Sequence, residues 1–178
     1  MEILIIVGVI LCIVIWIITV SNKLNRMVVK VDEADSGIDI ALTKRFDVLT
    51  KMKDVVKGYA KHEKETIIEA IKFRKGMSIN KKQEVYTQMN DAFDKLNLVV
   101  EAYPDLKASE NYKALQLAIV DTEEHLQAAR RFYNSVVSKF NQMIVTFPIS
   151  IIAKNKSMKK KEFFEVEEAK TKDVNMEM

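Results

Sequence analysis

Ser109 to Pro148 reads SENYKALQLAIVDTEEHLQAARRFYNSVVSKFNQMIVTFP. Its seam of Tyr112, Leu115, Ile119, Thr122, Leu126, Ala129, Tyr133, Val136, Phe140, Met143 and Phe147 alternates steps of three and four without a miss. Such spacing keeps one stripe of a helix facing a partner helix that runs nearly parallel or antiparallel to it. Ser109 is a good N-cap and Pro148 a good stop. A stripe of this kind is bundle core before it is anything else.

Upstream, Tyr103-Pro104-Asp105 breaks the chain. Before it, a second helix is expected from about Asn80 to Ala102 through Val85, Met89, Ala92, Leu96 and Val99, opened by an Asn80/Gln83 capping box. A first long helix is expected from Leu24 to about Lys75, through Val28, Val31, Ile38, Leu42, Phe46, Leu49, Met52, Val56, Ala60 and Ile67, with Gly76 as its stop. At 1.5 Å per residue it would reach about 75 Å. Gly37 and Gly58 weaken it by about 1 kcal/mol each relative to Ala. The second helix can cover only half of the first. Val28, Val31, Ile38 and Leu42 then need the third helix, the tail or another subunit over them, and a homo-oligomer joined through these four residues is the expectation. A bend or break near Gly37 is the alternative.

Further upstream, Ile3 to Val20 holds eighteen residues without a charge. A bilayer core needs about 17 to 25 such residues. Lys23, Arg26 and Lys30 follow the span and no basic residue precedes it, so the N-terminus is expected outside and the rest in the cytoplasm, at the cell membrane. A cleaved signal peptide fits less well, because the start is acidic at Glu2 and the exit lacks a small-x-small site. Lipidation at Cys12 is disfavoured by Leu11 before it. The fold class is thus all-α: a transmembrane helix (1–22), a cytoplasmic antiparallel bundle of three main helices (23–148) and a tail (149–178).

The tail is polarised. Lys154, Lys156, Lys159, Lys160 and Lys161 lie within eight residues, whereas Glu162 to Met178 hold six acidic residues and two lysines. Lys159, Lys160 and Lys161 beside Phe163 and Phe164 form a candidate surface for an anionic leaflet, although a solvated, partly disordered tail is the default reading. Ile149, Ile151 and Ile152 are expected to tuck against the bundle.

Four Gly and two Pro argue against a turn-rich β fold, and the lone Cys12 excludes an intramolecular disulfide and a thiolate metal site. Without the span and Glu2, 28 basic residues face 24 acidic ones. That excess is too diffuse for nucleic acid. His62-Glu63 begins like a zincin motif, but Thr66 stands where the second His belongs. Thr122 and Tyr59, three residues before the two histidines, deny a Glu-x-x-His di-iron pattern. No phosphate loop or nucleophile motif is present, so neither an enzyme nor a cofactor is expected.

Ser36 to Leu42, Lys44 to Leu49 and Val56 to Glu63 resemble the first long helix of LemA proteins. Glu101 to Ala108, then Ala128 to Asn134, Phe147-Pro148 and Lys161 to Glu165 are similar to that family's later motifs, in order and at the expected intervals. The resemblance covers residues 1 to about 165. It implies an N-terminally anchored long-helix bundle with no established catalytic residues. It also brings associations with magnetosome membranes and with a neighbouring membrane zinc protease. This chain departs from the pattern at Thr50-Lys51-Met52, where a proline-containing turn is usual, at Asp35, where tryptophan is usual, and at Lys154 to Met158, where a Gly/Phe-containing stretch is usual. The first departure favours a straighter helix.

Two clusters are candidate partner or structural sites. One is the turn at Tyr103, Pro104 and Asp105. The other is Arg130, Arg131, Tyr133 and Asn134, whose arginines are expected to pair with Asp47 or Glu63. The expected function is that of a non-enzymatic single-pass membrane protein whose bundle self-assembles and organises membrane or membrane-protein partners. The alternative is an adaptor for a membrane-bound protease.

Overall fold

The structure, a computed structural model, describes residues 1–59 and 71–165. Among them α1 spans Glu2–Tyr59, α2 Ile79–Glu101, α3 Pro104–Ala108, α4 Glu110–Val145 and α5 Ile149–Asn155, with no strand.

The span and the first bundle helix are one element. No proline interrupts α1. A Cβ added at Gly37 or Gly58 would meet nothing within 4 Å, so these glycines answer no packing need, and the helix runs through Gly37 without a break. It also runs through Thr50-Lys51-Met52, as the departure from the family pattern suggests. Hydroxyls that could compete with the helical ladder are returned to it: Thr43 Oγ1 donates to the Asp39 carbonyl at 2.7 Å and Thr50 Oγ1 to that of Phe46 at 2.9 Å. Fifty-eight residues make a rod of about 87 Å. Its N-terminal part is long and apolar enough to cross a membrane. Residues 60–70, with Ala60, His62, Glu63 and Ile67 of the expected first helix, lie outside the described residues.

From Leu24 onward the inward phase of α1 fills the core through Val31, Ile38, Leu42, Leu49 and Met52, each 2 % exposed or less. The main cover is α4, which runs antiparallel to α1, with Glu123 against Arg45 and Tyr133 beside the Asp32–Asp35 turn. The four residues expected to join subunits are therefore covered within the chain. Val31, Ile38 and Leu42 are core and Val28 is half-buried against it, because the long α4 supplies what the shorter α2 cannot.

Contacts rise together along α1 and α2, with Lys82 at Asp35 and Asp39 and Asn90 at Arg45. Those two helices run parallel, and α4 runs antiparallel to both, with Tyr86 at Glu123 and Asn97 at Tyr112. The N-cap of α2 is Ser78, without a side-chain cap, and the Asn80/Gln83 box does not form; Gln83 instead donates to the Phe163 carbonyl at 3.2 Å. Gly76 adopts φ 75°, a left-handed turn before α2 that suits glycine. Ser109 caps α4 as expected, accepting from the Tyr112 amide.

Near its end the α4 seam moves. Val137, Asn141 and Ile144 are buried, whereas Phe147 is 77 % exposed. A straight helix of 3.6 residues per turn drifts about 20° per heptad from a strict seven-residue seam, which moves burial on to Val137, Asn141 and Ile144, while Phe147 lies beyond the end of α4 in the turn before α5. There the chain bends by 96° into α5.

Candidate functional site

The described part of the tail is strapped to the bundle. Residues 158–165 run extended along α2 and α4 with their peptide groups held by side chains. Asn141 Nδ2 donates to the Lys161 carbonyl at 2.8 Å and Asn141 Oδ1 accepts from the Lys161 amide at 2.8 Å. Asn134 treats Phe164 in the same reciprocal way, at 3.0 and 2.8 Å. Tyr133 Oη donates to the Glu162 carbonyl at 3.0 Å. Phe164 is thereby 1 % exposed, with the Arg130 guanidinium 5.4 Å from its ring centroid. Arg130 thus stacks on the tail, and no pairing with Asp47 is seen; Glu63 lies outside the described residues. Arg131 is exposed in a shallow depression with Asp121, Glu124 and His125.

These contacts take Phe164 out of the candidate lipid surface, whose other members stay exposed. Phe164 belongs to the core and Phe163 keeps only 39 % exposure. Lys159, Lys160 and Lys161 are exposed, but Lys160 and Lys161 flank Asp32, Asp35 and Glu162, well along the bundle from Val20. Burial first, then the charges of Asp35, Glu162 and Asp32, push the Tyr133 phenol up to about 12. It remains a protonated donor and no proton shuttle at neutral pH. The basic stretch ends at Lys161, and the acidic end, residues 166–178, lies outside the described residues.

At the Tyr103 turn the chain starts a short helix. Pro104 takes the first position of α3, where its missing N–H costs nothing. Tyr103 is half-buried against the core, Leu106 is buried, and Asp105 is exposed in the first turn.

A second arrangement lies between α2 and α4. Both pack on α1, α2 less extensively, and an open groove of about 910 Å3 remains between them. Arg45, 5 % exposed, belongs to its lining. Its guanidinium donates to Glu123 Oε2 and to Asn90 Oδ1, both at 2.6 Å, and lies 5.5 Å from the Tyr86 ring centroid. Tyr86 Oη donates to Glu123 Oε1 at 2.8 Å, and burial, more than the carboxylate, raises its pKa. Arg45 Nε is buried without an acceptor. Phe93, Leu117 and Val120 make the apolar part of the wall, with Leu117 72 % and Val120 55 % exposed. Among the described residues no group of three or more His, Cys, Asp or Glu could hold a metal ion.

Arg45, Asn90, Glu123 and Leu117 escaped the sequence reading. The signal was there: Arg45 falls between Leu42 and Leu49 on the inward phase of α1, and a charge on an apolar phase needs a partner.

The sequence profile described as LemA family matches residues 34–178. Protein LemA of Metamycoplasma hominis is 31 % identical over 160 residues, which covers 87 % of this chain and 73 % of that protein. Magnetosome protein MamQ 2 of Paramagnetospirillum magneticum is 29 % identical over 75 residues, 42 % of this chain and 28 % of that protein. MamQ of Magnetospirillum gryphiswaldense is 27 % identical over 74 residues, 42 % of this chain and 27 % of that protein.

Proposed function

The chain belongs to the LemA family, and we propose that it is a non-enzymatic membrane-tethered adaptor whose α2–α4 groove docks a helical segment of another membrane protein. The observation that carries this reading is the groove itself, with the locked Arg45 beside the exposed Leu117 and Val120. An amphipathic helix laid in such a groove buries its apolar face against Leu117 and Val120. The partner is placed at the membrane because the tether limits reach. Arg45 lies on the helix that carries the span, about 38 Å beyond Val20 at 1.5 Å per residue. A membrane protease, the partner class that the family resemblance implies, is within that reach.

Self-assembly loses the support it had in the sequence, since Val31, Ile38 and Leu42 are covered by their own chain. A scaffold of many copies would have to join through another surface.

A photo-crosslinking residue at Leu117 tests the reading in native membranes. The expected product is a discrete heterologous adduct that disappears with Arg45→Ala, while Phe132, exposed on α4 but absent from the groove lining, yields none. An adduct of twice the chain mass would replace the adaptor by self-assembly. Equal labelling from Leu117 and Phe132 would remove the groove from the mechanism.

A further inference from the structure

We infer that the corner where α4 bends into α5 is a second membrane contact, a foot that rests on the anionic headgroup layer of the same bilayer that α1 crosses. The inference rests on α1 being a membrane anchor, but not on the groove.

Position comes first. Glu123 meets Arg45 across antiparallel helices. Counting equal numbers of residues in opposite directions from that pair puts Ile144 opposite Leu24 and Phe147 opposite Ser21, immediately beyond the apolar span. Lys156 Nζ donates to Asn25 Oδ1 at 2.9 Å, so the end of α5 is pinned at the same level. The 96° bend then lays α5 across the direction of α4, and hence across that of α1. A helix perpendicular to the anchor at its exit lies along the membrane surface.

Composition agrees with position. Phe147 and Ile151 are 77 % and 61 % exposed, although α5 also packs on α1 and α4 through Ala153, which is 1 % exposed. Exposed apolar groups at this height continue the exposed apolar surface of the span. Around them the charge has one sign: no Asp or Glu occurs from Ile3 to Val31 or from His125 to Lys161, whereas Lys23, Arg26, Lys154 and Lys156 do. Apolar side chains entering the headgroup boundary among cations are how interfacial helices bind anionic leaflets. The strapped lysines 159–161 are not part of this foot, since Lys160 and Lys161 face acidic side chains further along the bundle.

The chain has one tryptophan, Trp16, inside the span, which supplies the control. Full-length protein is reconstituted in vesicles of mixed phosphatidylcholine and phosphatidylglycerol, with or without bromine on the acyl chains. Ile151→Trp and Leu117→Trp are each made on a Trp16→Phe background. The expected result is quenching at position 151 several-fold stronger than at position 117, with native Trp16 quenched in its own chain and with less quenching at 151 in phosphatidylcholine alone. Quenched Trp16 with an indole at 151 no more quenched than at 117 overturns the foot and leaves the anchor standing. Unquenched Trp16 removes the anchor and the foot together. Equal quenching at 151 in neutral and anionic vesicles overturns the role of the lysines.

Discussion

Replacing Lys82 by Met should expose how the parallel helices α1 and α2 are locked together. Lys82 is 0 % exposed, with its ammonium 2.7 Å from Asp35 Oδ1 and 2.8 Å from Asp39 Oδ1. Met matches the aliphatic stem, so little cavity opens, and the loss is electrostatic. Removing one partner of a buried pair costs about 3–5 kcal/mol. The Asp35 side chain is 34 % exposed and can turn to water, so its share is discounted, whereas that of Asp39 is 12 % exposed. Asp39 keeps the Gly76 amide, which donates to Oδ2 at 3.0 Å, and the expected loss is about 3 kcal/mol. Equilibrium urea unfolding of the full chain in mild detergent, followed by circular dichroism, measures it. Adding Asp39→Asn removes the stranded charge but keeps an acceptor for Gly76, so the double variant should regain about half of the loss. A cost below about 1 kcal/mol for Lys82→Met, or no recovery in the double variant, would refute the reasoning.

Two further outcomes follow from the strap. The Tyr133 phenol is raised to about 12, while the unfolded chain ionises near 10, so the folded state holds its proton longer. Its contribution is therefore complete below pH 10 and is lost as pH rises towards 12, by about 1.4 kcal/mol per unit at most; wild-type stability should decline relative to Tyr133→Phe over that window, and parallel curves would count against it. Asn134→Ala and Asn141→Ala each remove two bonds to the strap backbone, so tryptic cleavage after Lys159, Lys160 or Lys161 should accelerate about tenfold for each, as a loss of about 1.4 kcal/mol in local closure requires. An unchanged cleavage rate would mean that the strap is held by Phe164 alone.

How much was legible divides by the kind of interaction. Apolar periodicity is a local property, so the α4 seam, α1 as far as Tyr59 and the break at Tyr103 could be read directly from spacing, whereas residues 71–75, expected in the first helix, are not helical. Which element covers Ile38 and Leu42 is a tertiary fact, and matching helix lengths in pairs hid it: α2 is short, and α4 does the covering. The parallel course of α1 and α2 was equally hidden, because it shows only when Lys82 is seen to meet Asp35 and Asp39. Charges on an inward phase, such as Arg45 and Lys82, were readable as anomalies, although their partners were not. The strap carries no periodicity at all, since it is extended and bound through its peptide groups. Its trace lies in the receiver, where Asn134 and Asn141 stand seven residues apart on one face of α4.

A single helix through a bilayer leaves a bundle free to rotate about that helix and to tilt. Because α1 is unbroken through Gly37, the bundle cannot hinge there and must move with the span. The foot removes what freedom is left. With Phe147 and Ile151 on the surface and Lys156 tied to Asn25, the bundle is held at two points, which fixes both the height and the heading of the groove. A membrane partner, itself confined to two dimensions, then meets Leu117 and Arg45 in one orientation, and a weak groove contact acts at high effective concentration. On this logic the covered stripe and the strapped tail have one consequence in common. They bury the apolar groups Val31, Ile38, Leu42 and Phe164, which could have joined copies or met lipid, and leave exposed those of the foot and the groove.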